Sequence, residues 1–159
     1  MEQFLFNQLA FVRSQTLKLM EGVTEELADR IPEGFRNNIR WNLGHIYVVC
    51  ERFAFKQLNH PQQLPSGFSE QFENGSSPLN WPASFQVPTL PELETLLKEQ
   101  QERIRTALGH RLQDKIVPPY TTSAGMVLET PEQFLSFNLY HEGMHLNVIK
   151  LYKVILSRN

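Results

Sequence analysis

The sequence of 159 residues contains a single cysteine, Cys50, so no disulfide can form within the chain. Small exported domains generally carry an even number of cysteines, and we therefore predict a reducing, cytoplasmic setting. No uninterrupted apolar run approaches the roughly 20 residues needed to cross a bilayer. The N-terminus also lacks the basic segment and the small-residue cleavage site of a signal peptide. These absences argue against secretion and against membrane insertion.

An excess of positive charge is also missing, because 15 Lys and Arg stand against 17 Asp and Glu, for a formal net charge of −2. Proteins that bind nucleic acid usually carry a basic stripe, and this sequence has none. The apolar fraction of 41% and the charged fraction of 20% are those of a globular protein. We expect one domain over residues 1–159, with no nucleic acid and no membrane among its partners.

Four segments have apolar residues at the spacing of an amphipathic helix. The predicted long helices cover residues 2–21, 38–58, a segment from the cap at Thr89 to Gly109, and 131–157. Thr89 and Thr130 each stand three residues before Glu or Gln, which is the spacing of a capping box, and a proline follows in the first turn. Strand-like segments are few, apart from a short extended piece near residues 126–128. This pattern predicts an all-α four-helix bundle.

Two long connections separate the predicted helices. Residues 59–88 carry five of the ten prolines, which rules out a regular helix, but they also hold Phe68, Phe72, Trp81 and Phe85. A solvated linker would be rich in Gly, Ser and charge instead. We interpret this segment as a crossover that packs onto the domain, with the role of a lid left open. The second irregular segment covers residues 112–129.

His141 and His145 are four residues apart in the last predicted helix. That spacing stacks two side chains on one helix face about 6 Å apart along the axis, so both imidazoles can reach one metal ion. The neighbouring residues Phe137, Val148 and Tyr152 direct this face toward the core. The pair predicts a metal site, and the alternative is a pair of hydrogen-bonded core histidines.

Two known metal motifs overlap this pair, and neither fits. His141 to His145 matches HExxH, in which Glu142 would be the general base of a zinc peptidase, but no acidic residue follows His145 to supply the usual downstream ligand. Glu142 and His145 also match the ExxH of di-iron bundles, which need a second such motif. Asn42, not an acid, lies three residues before His45.

A third ligand must then come from another helix, and His45 is the histidine that lies inside an apolar helical segment. His60 and His110 follow helix ends, where an imidazolium complements the helix dipole. Gly44 and Gly143 stand beside the candidate ligands and suggest either close packing or access to the ion. Helices two and four would therefore meet at a site formed by His45, His141 and His145.

The segments NNIRWNLGHI around His45 and FNLYHEGMHLNVI around His141 and His145 resemble the two signature segments of the DinB/YfiT-like superfamily. The likeness extends over nearly the whole chain in helix order. It implies a bundle with up-down-down-up connectivity, commonly a homodimer, that holds a divalent metal ion through His45, His141 and His145. Some relatives are similar to metal-dependent transferases that use a low-molecular-weight thiol such as bacillithiol, mycothiol or glutathione.

The ligand set also predicts the chemistry. Three neutral imidazoles leave the ion its full charge and at least one open position, so a bound water or thiol becomes more acidic. Imidazole donors favour zinc or nickel over magnesium. We expect transfer of a thiol to a small electrophile; the alternatives are hydrolysis of a small substrate and a non-catalytic, metal-stabilised binding protein. Glu142 has two possible roles: it is either a catalytic base or orienting group at the site, or a solvated residue on the helix surface. Cys50 is expected to be a buried apolar side chain.

Overall fold

Six α-helices and one short hairpin make up residues 2–157, the part of the chain that the computed structural model describes. The helices are α1 (Glu2–Met20), α2 (Glu25–Asp29), α3 (Ile39–Ala54), α4 (Phe68–Phe72), α5 (Leu90–Leu108) and α6 (Pro131–Leu156). Short 3-10 turns occur at Lys56–Leu58 and Pro78–Asn80. The strands β1 (Tyr120–Thr121) and β2 (Val127–Leu128) pair antiparallel. The all-α prediction is confirmed, and within the described range no helix is long and apolar enough to cross a membrane.

The caps predicted at Thr89 and Thr130 are confirmed, and α3 begins at a further cap, Asn38. The side chains of Asn38, Thr89 and Thr130 each accept a hydrogen bond from the backbone N–H three residues later, which satisfies a donor that the helix leaves free. The end of α3 differs from the prediction of residue 58. The α-helix stops at Ala54, because the chain tightens into a 3-10 turn and Asn59 then takes a left-handed φ of 57°.

Side-chain contacts between α1 and α6 show that these helices run parallel. Arg13 pairs with Glu142, and further along both helices Lys153 donates to the Leu19 carbonyl oxygen at 2.7 Å. The first and last long helices of the bundle therefore point the same way.

The other two long helices, α3 and α5, are also parallel to each other. Gln100 donates to the Tyr47 carbonyl oxygen, and Arg103, one turn later, pairs with Glu51, one turn after Tyr47. Helix α3 runs antiparallel to α6, because Asn42 meets His145 and His45, further along α3, meets the earlier His141. The connectivity is therefore up-down-down-up. Parallel neighbours need a long connection, which residues 59–88 provide.

Helix α3 lies at the centre of the molecule, with 15 of its 16 residues buried. The crossover of residues 59–88 covers the side of α3 that the other long helices leave open. Its aromatic side chains pack edge to face on one another: Phe68, Phe72, Trp81 and Phe85. The expectation that this segment packs onto the domain is confirmed.

Candidate metal centre

Helices α3 and α6 bring His45, His141 and His145 together. One ligand atom from each histidine lies within 4.8 Å of those of the other two. His141 Nε2 is 3.3 Å from His45 Nε2. In the described part of the chain, no carboxylate or thiol joins this group, and His60 and His110 lie outside it.

The cluster follows directly from the helix geometry. The four-residue spacing in α6 places the rings of His141 and His145 with their centroids 4.6 Å apart. The antiparallel α3 then presents His45 between them, 5.1 Å from His141 and 4.7 Å from His145. Trp41, one turn before His45, stacks on its ring at 4.5 Å with an interplanar angle of 12°. This stacking fixes the plane of the His45 imidazole.

Two of the histidines have an acceptor for the ring nitrogen that faces away from the cluster. His45 Nδ1 lies 2.5 Å from the Phe72 carbonyl oxygen, and His145 Nδ1 lies 2.8 Å from Asn42 Oδ1. Both partners accept hydrogen bonds, so we assign the proton of each neutral ring to Nδ1. Nε2 then keeps its lone pair, and outer acceptors of this kind orient metal-binding histidines in general.

The electrostatics of the cluster keep the rings uncharged. Burial, with the neighbouring imidazoles as the smaller cause, lowers the pKa of His141 to about 2 and that of His145 to about 4. Burial also lowers the pKa of His45, although its bond to Phe72 acts in the opposite direction. At neutral pH the site therefore offers three uncharged imidazoles, a donor set that fits a divalent ion of intermediate softness.

The two glycines beside the clustered histidines have different surroundings. A Cβ on Gly44 would overlap the ring of Phe72, so this glycine allows the crossover to approach α3 and does not leave an open space by His45. Gly143 has nothing within 4 Å of an added Cβ and lies on the exposed side of α6. Gly44 thus permits the contact that brings the Phe72 carbonyl to His45.

Glu142 does not lie on a solvated helix surface, which was one of the two positions expected for it. The residue is 1% exposed, and its carboxylate pairs with Arg13 at 2.8 Å and accepts a hydrogen bond from Thr16 at 2.8 Å. One step of about 100° along the helix separates it from His141, and this step turns it toward α1.

Arg13 and Glu142 belong to a larger buried network that we call the polar network. Arg13 also donates to the Leu97 carbonyl oxygen and to Gln100. Gln100 donates in turn to Glu51, whose carboxylate pairs with Arg103. The network joins the four long helices and consists of Arg13, Thr16, Glu51, Gln100, Arg103 and Glu142. Cys50 is buried beside it, where burial raises the pKa of the thiol to about 12.

The two long connections do not contribute equally to the site. The crossover reaches it through the Phe72 carbonyl oxygen, whereas Tyr120, from the segment before α6, packs on Phe53 and Phe134 about two helical turns from His141. The carbonyl of Phe72 carries no sequence signal, because every residue has one. The stacking of Trp41 was also missed, although its place one turn before His45 pointed to contact.

The comparisons with known proteins agree with this architecture. No curated protein is similar enough to the chain to count as a relative. The family model described as DinB superfamily matches residues 8–149, well over half of the chain. The match contains α3, the crossover and all three clustered histidines. The chain therefore belongs to the DinB superfamily.

Proposed function

We propose that His45, His141 and His145 bind one divalent metal ion, with zinc or nickel favoured. The observation that carries the proposal is a cluster of one buried and two half-buried imidazoles that remain neutral at pH 7 and have converging ring nitrogens. Without an ion, His141 Nδ1 is a buried ring nitrogen that has no hydrogen-bond partner, which carries a desolvation cost. Neutral imidazoles are the side chains that zinc and nickel bind well.

Metal analysis of the purified protein tests this proposal. We expect about one divalent ion per chain, and none after replacement of His45, His141 and His145 by alanine. The matched control replaces His60 and His110, which lie outside the cluster, and should keep the ion. Tightly bound metal in the triple variant would refute the ligand assignment.

We further propose that the site transfers a low-molecular-weight thiol to a small electrophile. Among residues 2–157 the histidines have no fourth protein ligand, and an open position favours chemistry over a purely structural ion. A bound divalent ion would supply Lewis acidity at neutral pH. The residues of the chain hold the site in shape: Phe72 and Asn42 orient two of the rings, and Trp41 covers one of them.

Glu142 then acts as a positioning residue. Its carboxylate is already engaged by Arg13 and Thr16, on a side of α6 that faces α1 and not α3. An ion pair with 2% exposure of both side chains anchors the helical turn that carries His141. A general base would need a free lone pair beside the substrate.

A panel of thiols with a chromogenic electrophile tests the reaction. The zinc-loaded and nickel-loaded protein should accelerate thiol consumption, while metal-free protein and His141→Ala should not. A parallel panel of small esters and amides tests hydrolysis. Activity that survives in both controls would show that the metal site is not responsible, and inactivity across both panels would favour a metal-stabilised binding protein.

We also propose that the protein is a homodimer, as the family resemblance implied. Exposed apolar side chains follow one another at steps of four, seven and three along the outer face of α6, and two more lie on α1; they are Tyr140, Met144, Leu151 and Val154, with Phe4 and Phe11. An apolar face of this kind generally marks an interface, and here the occupant is a second copy of the chain.

Sedimentation tests the dimer. The wild type should sediment as a dimer, and the double variant Phe11→Glu with Met144→Glu should sediment as a monomer. The control Val117→Glu changes an exposed apolar side chain outside α1 and α6 and should leave the dimer intact. A wild-type protein that is monomeric at all concentrations would refute the proposal.

A further inference from the structure

The outer nitrogen of His141 differs from those of the other two clustered histidines. His45 Nδ1 and His145 Nδ1 each have an acceptor, but His141 Nδ1 is buried without any hydrogen-bond partner. A buried polar atom without a partner loses its hydrogen bonds to water, and no hydrogen bond within the protein offsets that free-energy cost. Such atoms are rare in folded proteins, and each calls for a physical explanation.

A second unpaired atom lies one helical turn away. Asn138 is 2% exposed, and its Oδ1 is also buried without a partner. It precedes His141 by three residues in α6, and side chains at this spacing are neighbours on a helix. The carboxamide and the imidazole are therefore neighbours on the same helix.

The two unpaired atoms are chemically complementary once a metal ion is bound. A neutral imidazole that ligates through Nε2 must carry its proton on Nδ1, which makes Nδ1 a donor. Asn138 Oδ1 can only accept. We propose, on the basis of the metal site proposed above, that Asn138 is the positioning residue of His141. Its Oδ1 accepts the Nδ1 proton when the ion binds, and this bond fixes the tautomer and the direction of the ring.

The chain already contains one pair of the same chemistry. Asn42 Oδ1 holds His145 Nδ1 at 2.8 Å across the contact between α3 and α6. The two asparagines also occupy matching places in the sequence, because Asn42-Leu43-Gly44-His45 and Asn138-Leu139-Tyr140-His141 share the pattern Asn-Leu-x-His. Asn42 serves a histidine of the opposite helix, and Asn138 would serve one of its own. With this bond, all three rings have a hydrogen-bond acceptor on their outer side.

The substitution Asn138→Leu separates this role from a contribution to folding. It keeps the number and branching of the side-chain heavy atoms but removes both the acceptor and the unpaired buried oxygen. We expect metal-free Asn138→Leu to be at least as stable toward urea as the wild type, while its affinity for zinc, measured by competition with a chromophoric chelator, falls about 10- to 100-fold. Asn138→Asp restores an acceptor and should retain the wild-type affinity for zinc. Asn80→Leu, at an exposed asparagine of the crossover, is the matched control and should change neither quantity.

Nitrogen-15 NMR of the histidine side chains gives a second readout. In the zinc-loaded wild type the Nδ1 proton of His141 should be visible and protected from exchange, and Asn138→Leu should remove this protection. Unchanged zinc affinity in Asn138→Leu would overturn the proposal. So would a parallel loss of stability and affinity, because that result indicates a role in folding alone. If the wild type binds no zinc, the metal site itself is refuted, and the role of Asn138 falls with it.

Discussion

The polar network joins the four long helices and the half-buried histidine cluster joins α3 to α6, yet the two are completed in different ways. In the polar network, the Glu142 carboxylate has two partners and the Arg13 guanidinium contacts three acceptor groups. In the cluster, His141 Nδ1 remains unpaired and three ring nitrogens point at one another. The contrast teaches that a polar network that serves the fold is satisfied within the chain, and that a cluster left incomplete is a candidate for binding a ligand.

The largest expected effect comes from breaking the polar network at Arg13. Arg13→Met leaves the Glu142 carboxylate buried without its countercharge, which should destabilise the protein by about 3–5 kcal/mol. Urea unfolding at pH 7.5 measures this loss. The double variant Arg13→Met with Glu142→Leu should recover most of it, because an apolar pair needs no desolvation of charge.

Substitution in the histidine cluster should have the opposite pattern, with a large loss of metal binding and a smaller loss of stability. His141→Ala is expected to abolish metal binding while lowering the stability of the metal-free protein by less than Arg13→Met does. If Arg13→Met left stability unchanged and only metal binding were lost, the distinction between the two regions would be wrong.

The next largest effect is expected on acidification, which should lower the folding stability of the metal-free protein. The clustered imidazoles are neutral in the fold, with a pKa of about 2 for His141 and about 4 for His145, but in the unfolded chain they gain a proton near pH 6.5. Protons therefore favour the unfolded state as the pH falls below about 6.5, by up to about 1.4 kcal/mol per pH unit for each histidine. Stability measured between pH 7.5 and 5.5 should decline, above the range in which most carboxylates titrate.

Single variants identify the groups responsible for this pH dependence. His141→Phe should reduce the slope by the contribution of one proton, whereas His60→Gln, at a histidine outside the cluster, should leave it unchanged. A flat stability profile over this range would contradict the neutral, buried state of the cluster.

A smaller effect is expected where the crossover meets the cluster. Gly44→Ala places a Cβ against the Phe72 ring, and overpacking of this kind costs about 1–3 kcal/mol. It should also displace the carbonyl that holds His45 and thereby weaken zinc binding. Gly143→Ala, where an added Cβ meets nothing, should not weaken either property. Equal effects of the two substitutions would show that the contact with Phe72 is not required.

The sequence predicted the features that depend on local patterns. Helix caps at Thr89 and Thr130 follow from side-chain chemistry within four residues, and the four-residue spacing of His141 and His145 follows from helical pitch. The partner of Glu142 was not predictable in this way, because Arg13 is 129 residues away and any of several helix faces might have supplied it. The role of Phe72 was missed since it acts through a backbone atom.

The burial of α3 on nearly every side has a consequence for mutational tolerance. A helix on the surface of a bundle has a solvent face, where substitutions change stability by less than about 0.5 kcal/mol. Helix α3 has no such face, since Arg52 alone among its 16 residues is not buried. Random mutagenesis should therefore find the segment from Ile39 to Ala54 the least permissive stretch of the chain, with acceptable replacements concentrated at position 52. Engineering of this scaffold would begin on α5 or on the outer face of α6.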